Sequence, residues 1–207
     1  MRAGVLGRLS THRVETRLSD GTAVLIRPIG PGDRDLIREG FLNLSEQSRL
    51  RRFLVPTSVL TENDLDYLTN LDYWDHFAWG AVLGDRPTEG IGVARYVRFR
   101  DEPEVAEAAV TVVDHYQRRG LGTYLLGLLT AAALTAGIST FRAFVLEENL
   151  PMRRLLEGLG ARAAFDSPGI LAMDVPLDPE LMPDTVIARV LRAAASRVFL
   201  DPGRFGP

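Results

Sequence analysis

The sequence predicts an α+β fold in which helices are interleaved through one mixed sheet. Two observations lead there. Branched or alternating apolar runs of strand length recur along the chain, and between them lie stretches with helical spacing and caps. No internal repeat is present. With 207 residues, 46% hydrophobic and 25% charged, the chain fits one soluble globular domain with a short appendage. A fold of this size buries roughly 70% of its unfolded surface and needs no staples.

Each element has its own local signal. Residues 1 to 15 show no clear period and read as a loose leader. Asp20-Gly21 favours a tight reversal into a branched strand, Ala23 to Arg27, closed by Pro28. Asp33 is placed to cap a helix running to about Asn43, with Leu36, Ile37, Gly40, Phe41 and Leu44 inward. A second helical piece follows over Ser45 to Leu54. Thr61 caps a third, with Asp64 or Asn63 in its first turn and Leu65, Leu68 and Leu71 inward.

Phe77 to Leu83 and Ile91 to Phe99 read as a strand pair about the turn residues Asp85 to Gly90. Val105 to Val113 is a further strand, leading through a glycine loop into a long apolar helix. Thr140 to Leu146 is a strand, Pro151 to Leu159 a helix, and Ile170 to Val175 the last strand. Val186 to Phe199 is an amphipathic helix with Val186, Val190, Ala194 and Val198 on one face, expected to pack by the Val186, Val190 and Val198 side. The expected organisation is a leader over 1–17, a domain over 18–176 and an extension over 177–207.

Composition excludes several chemistries. The net charge of −3 gives no overall basic excess for nucleic acid. Cysteine is absent, which removes disulfides, thiolate ligands and a cysteine nucleophile, and the three histidines share no ligand spacing, so no metal is expected. All 24 basic residues are arginine, which excludes a lysine Schiff base and a phosphate-binding P-loop lysine. The uncharged run Leu121 to Ile138 is interrupted by Gly122, Thr123, Gly127, Thr130 and Thr135 and reads as a buried helix, not a membrane span. Residues 1–9 are too short and too rich in glycine and arginine for a secretory signal, so a cytoplasmic protein is expected.

The segment from Val110 to Thr123 carries the functional signal. It passes from strand through Gln117-Arg118-Arg119-Gly120-Leu121-Gly122 directly into a helix. Free amides at a helix N-terminus and the positive end of its dipole attract anions, and glycine allows a pyrophosphate close approach. Arg118 and Arg119 add positive charge there. Neither a G-x-G-x-x-G fingerprint nor a G-K-[ST] ending is present.

Gln-Arg-Arg-Gly-Leu-Gly in this setting resembles the Q/R-x-x-G-x-G/A signature of the GNAT acyltransferases. Downstream, Val145-Leu146-Glu147-Glu148-Asn149-Leu150-Pro151 is similar to the family's segment after the following strand. Val93-Ala94-Arg95-Tyr96, Ala106-Glu107-Ala108-Ala109-Val110 and the opening Asp20-Gly21-Thr22 with Ile26-Arg27-Pro28 resemble a narrower group, the bacterial Pat-type protein lysine acetyltransferases. The similarity covers about residues 18 to 175. It implies a central, mostly antiparallel mixed sheet with two splayed strands, flanked by helices, and acetyl-CoA as co-substrate. It further implies acetyl transfer to a protein lysine without a covalent enzyme intermediate.

The resemblance assigns roles residue by residue. Glu107 aligns with the general base, and its alanine and valine neighbours predict a desolvated carboxylate. Val112 and Val113 offer backbone groups to the pantetheine arm. Gln117, Arg118, Arg119, Gly120, Leu121, Gly122 and Thr123 form the phosphate loop, and Asn149 bonds the arm or caps the next helix. Two positions depart from the family: Leu156 stands where many members carry a tyrosine acid, and Ala161 replaces an aromatic. A small-amine acceptor, or an acyl-CoA-binding regulatory module with little turnover, are the competing readings. The terminal helix offers a lid or a homodimer contact. No nucleic-acid or membrane partner is expected.

Overall fold

In the computed structural model, residues 10–178 and 180–199 are described. They form two compact units, the first within Met1–Arg95 and Ala109–Gly122, the second within Tyr96–Ala108 and Thr123–Pro207.

In the first unit, β1 (Val14–Arg17) pairs antiparallel with β2 (Ala23–Pro28), which pairs antiparallel with β3 (His76–Leu83). A turn closed by the bond from Leu83 N–H to the Glu89 carbonyl leads into β4 (Gly90–Arg98). The C-terminal part of β5 (Val105–Val112) ends this unit's sheet beside β4, and Val113 N–H donates to the Ile91 carbonyl at 2.9 Å. Helices α1 (Arg34–Leu42), α2 (Glu46–Phe53) and α3 (Glu62–Thr69) belong to the same unit. Phe41, Leu60, Leu65 and Leu68 pack together there, with Ile37 and Phe53 against them.

The second unit holds the remainder of β4 and β5, joined by the bond from Phe99 N–H to the Val105 carbonyl. Here β5 pairs parallel with β6 (Thr140–Leu146), but only from Val105↔Thr140 to Glu107↔Arg142. β6 continues to Leu146 paired antiparallel with β8 (Ile170–Pro176), which also takes β7 (Arg162–Ser167). The parallel ladder is thus three residue pairs long. Helix α4 (Leu121–Thr135) runs from the first unit into the second, and α5 (Leu150–Glu157) and α6 (Val186–Phe199) lie in the second. The fold is α+β with a mixed, mostly antiparallel set of pairings. No helix among the described residues is long and apolar enough to cross a membrane.

Most elements form where their patterns put them, and the differences have local causes. Val14–Arg17 lies within the expected leader yet forms an edge strand, because Val14 reaches the core opposite Ile26; residues 1–9 lie outside the described set. Asp33 does not cap α1 with its side chain. Its carboxylate instead accepts from Arg27 Nη1 at 2.8 Å, Arg27 Nη2 at 2.5 Å and Gly30 N–H at 2.9 Å. A two-pronged, charge-assisted contact is roughly twice as strong as a neutral cap bond and wins the carboxylate. Thr61 and Asp64 form the reciprocal capping box at the start of α3. β7 had no strand signal, since it is an exposed edge with little to bury.

Of the face expected for the terminal helix, Ala194 is buried and Val190 is not. Ala188, Leu191 and Ala194 are buried whereas Val190 is 41% exposed; the side chains of Val186 and Val198 lie outside the described set. The cause sits in α4. A Cβ added at Gly127 would lie 2.6 Å from Ala194 Cβ and 2.6 Å from the Leu191 carbonyl, so the helices meet at a glycine through small residues.

Gly127→Ala separates two opposed effects. Helix propensity alone favours alanine by about 1 kcal/mol, while overpacking against a backbone carbonyl costs about 1–3 kcal/mol. The net cost of up to about 2 kcal/mol is expected to lower Tm by up to about 8 °C, measured by circular dichroism. A rise would mean that α6 does not press on Gly127.

Candidate active site

The first unit supplies an unusual strand edge. Because Val113 N–H bonds to Ile91, alternation turns the N–H and C=O of Val112 away from β4, toward the free side of this unit's sheet. Val112 C=O accepts from the Gln117 side-chain amide at 3.0 Å. The same Nε2 lies 3.2 Å from Ser48 Oγ. Gln117 therefore shapes the loop from within. Val113, expected to serve an incoming arm, has both backbone groups engaged: N–H to Ile91 and C=O from Tyr116 N–H at 2.8 Å. The edge group left for an extended ligand is Val112 N–H.

The loop is held by an anchor that sequence reasoning missed. Asp114, at the start of a 3₁₀ turn over Asp114–Tyr116, accepts from Ser45 N–H at 2.9 Å, Ser45 Oγ at 2.8 Å and Ser48 Oγ at 2.8 Å. Partial burial opposes its ionisation, but the hydrogen bonds from Ser45 and Ser48 outweigh it and hold the carboxyl below the ordinary aspartate range. Ser45 also caps α2, so one contact fixes both the helix start and the loop. Tyr116 adds a second anchor through its hydroxyl, which donates to Glu89 at 2.9 Å.

Beyond it, the chain turns through Arg118 (φ 58°) and Gly120 (φ 87°) before α4 begins at Leu121. Left-handed backbone is free for glycine and costs arginine about 1 kcal/mol. A Cβ at Gly122 would meet Val112 Cγ2 at 3.8 Å and Val110 Cγ2 at 3.9 Å, ordinary contacts that leave the amide approachable. The two arginines part company. Arg119 pairs with Asp20 and lies over the Tyr116 ring at 5.4 Å, a strut where a free charge was expected. Arg118 is exposed and keeps its charge toward solvent.

The expected positions of the second unit are less uniform. Glu107 is exposed, so the desolvated carboxylate expected from its neighbours does not form. Alternation along β5 buries Ala106 and Ala108 on one side and turns Glu107 to the other. Thr123 lies in the first turn of α4. Asn149 is buried and caps α5, accepting from Met152 N–H at 3.4 Å. Leu156 is buried and apolar, as its sequence position implies. In the first unit, Asp72 accepts from the N–H groups of Trp74, Asp75 and His76, each at 2.8 Å, which makes Asp72–His76 a capped turn.

Three comparisons bear on this arrangement. The model of an acetyltransferase (GNAT) domain matches residues 23–162. Acetyltransferase Pat of Mycolicibacterium smegmatis is 33% identical over 187 residues, covering 82% of this chain and 53% of that protein. Acetyltransferase PA5475 of Pseudomonas aeruginosa is 34% identical over 150 residues, covering 72% of this chain and 80% of that one. The chain thus spans about half the length of the mycobacterial relative. Among solved structures, the GNAT domain of S. lividans PAT has a TM-score of 0.73 at 27% identity, covering 79% of this chain and 96% of that one. A cAMP-binding acyltransferase from Mycobacterium smegmatis has a TM-score of 0.58 at 30% identity, covering 95% of this chain and 58% of that one. A strand edge, a glycine turn and a helix start in this order, with the domain match over residues 23–162, identify the chain as a member of the GNAT acetyltransferase family.

Proposed function

We propose that the chain transfers the acetyl group of acetyl-CoA to the amine of a protein lysine, directly and in the cytoplasm, where that thioester is made. The observation that carries the reading is the juxtaposition, within the first unit, of the Val112 edge with the Gly120–Gly122 turn. Val112 N–H takes a carbonyl of the pantetheine arm as a strand addition. The first amides of α4, from Leu121, Gly122 and Thr123, take the pyrophosphate, with Arg118 supplying exposed positive charge. Asn149 has its oxygen committed to α5 and its amide nitrogen available to the arm.

A lysine ammonium has no lone pair, and its deprotonation at pH 7 costs about 4.6 kcal/mol. Glu107 acts as general base. The carboxylate takes the ammonium proton, directly or through one water; the freed amine nitrogen then bonds to the thioester carbonyl carbon, the carbon–sulfur bond breaks, and the second proton leaves the nitrogen to water. Exposure suits an acceptor as large as a protein, because the carboxylate is reached from solvent. The CoA thiolate is a good leaving group near neutral pH and takes its proton from water, since Leu156 supplies none. The segment around Glu107 and the similarity to Pat support lysine as acceptor; a small amine is the second reading, and the two share every step above.

Glu107→Gln is expected to keep acetyl-CoA affinity and lose about 10²-fold in kcat, measured by thiol release with protein acceptors. Full activity at pH 7 would remove Glu107 from the mechanism. Gly122→Asp is expected to weaken acetyl-CoA binding at least about tenfold in calorimetry, through a carboxylate set against the pyrophosphate. Because the Cβ contacts there are ordinary, its Tm is expected to stay near that of the parent chain. Unchanged affinity would place the phosphates elsewhere.

A further inference from the structure

The first unit holds a partly open cavity of about 100 Å³ between its sheet and its helices. Most of the wall is apolar, with Ile37, Phe41, Phe53, Leu60 and Val93 prominent. Set into it are Arg27, Arg52, Arg95 and Asp33, an excess of two positive charges. Arg27 and Asp33 neutralise each other at 2.5 Å.

Arg95 has no such partner. Its residue is only 4% exposed. Nη2 donates to the Leu68 carbonyl at 2.9 Å, and Nη1 lies 2.9 Å from His76 Nε2. Burial, and then Arg95 itself, push the His76 imidazole down to about 4, so it is neutral at pH 7 and accepts from the guanidinium. Among the described residues no carboxylate forms an ion pair with Arg95. Burial and the nearby Arg52 together push the guanidinium down to about 9. Leu68 lies in the last turn of α3, whose end carries about half a negative charge, less than one full cation requires. A buried cation without an anion is costly, and three of the five guanidinium N–H groups remain for one.

Position adds to charge. The bond from Val113 to Ile91 sets the antiparallel register, which places Val93 opposite Thr111. Thr111 and Val113 line the same cavity, so one of its sides is the strand whose far edge carries Val112. In another protein, an apolar cavity of about 150 Å³ holds benzene. A volume of about 100 Å³ therefore suits roughly four carbons.

We propose that this cavity binds a short aliphatic carboxylate, its chain on the apolar wall and its carboxylate on Arg95. Two sources carry that chemistry: a free or acceptor-borne acid, and the distal carboxylate of a dicarboxylic acyl thioester. The site stands on the first unit alone, whereas the thioester source rests on the function proposed above.

The whole chain is titrated with sodium butanoate and, separately, with butan-1-ol, following backbone amide resonances. The expected result is saturable butanoate binding about tenfold tighter than the alcohol, with shifts at Val93, Arg95 and Thr111. Equal affinity, or no saturable butanoate binding, overturns the proposal without any variant. Arg95→Met is expected to abolish the preference and Arg95→Lys to restore part of it; a preference that survives in Arg95→Met also overturns the site. Calorimetry with succinyl-CoA, butyryl-CoA and acetyl-CoA then separates the sources. A roughly tenfold preference for succinyl-CoA over butyryl-CoA supports the thioester source, and butanoate binding without that preference supports the free acid. Failure of all three thioesters to bind removes the acyltransferase reading and leaves the butanoate result standing.

Discussion

The structure depends on how one strand distributes its hydrogen bonds. Between Val105 and Glu107, β5 is paired on both sides, by β4 and by β6. From Ala109 to Val112, within the first unit, it is the last strand of its sheet. A bare edge is normally a liability that proteins blunt with charge, proline or a cover. Here Gln117 folds back on the Val112 carbonyl, and the adjacent N–H faces outward. The glycine turn builds on that asymmetry. It follows directly on the Asp114–Tyr116 turn, which Ser45 and Ser48 tie to α2, and it delivers the chain to the start of α4 at Leu121.

Charge is the second organising feature. The chain has no lysine, so every internal cation is a planar, strongly basic guanidinium. Several are fixed by carboxylates: Arg27 on Asp33, Arg119 on Asp20, Arg142 on both Glu102 and Asp174. These pairs tie strands to turns. Arg95 departs from the pattern, since its partners are a carbonyl and a neutral imidazole.

The fold was largely legible because its signals are local. The cap at Thr61, the strand at Thr140 to Leu146 and the helix start after Gly120 each declare themselves within a few residues. The glycine loop was legible for the same reason. What stayed hidden is what long range decides. Ser48 and Asp114 lie 66 positions apart, and neither neighbourhood announces the other. Arg119 reads as a phosphate ligand until Asp20, 99 positions away, takes its side chain. Glu107 reads as desolvated because alanines flank it, yet in a strand flanking residues point to the opposite face. Its exposure was set by period-two geometry, which adjacency in sequence does not report.

The anchoring of the chain before β5 has a temporal side. Arg142 holds Glu102, while the Glu104 carbonyl accepts from the N–H groups of Ser139 and Thr140. The entry to β5 is thus stapled to the start of β6, and the strand is clasped on both flanks from Val105 to Glu107. Local opening is cheapest where the fewest bonds must break together. Deuterium uptake should therefore rise along this single strand, slow at Ala106 and fast at Val112. One continuous stretch of backbone would hold a stiff and a breathing half, and whatever docks on the breathing half would erase the gradient.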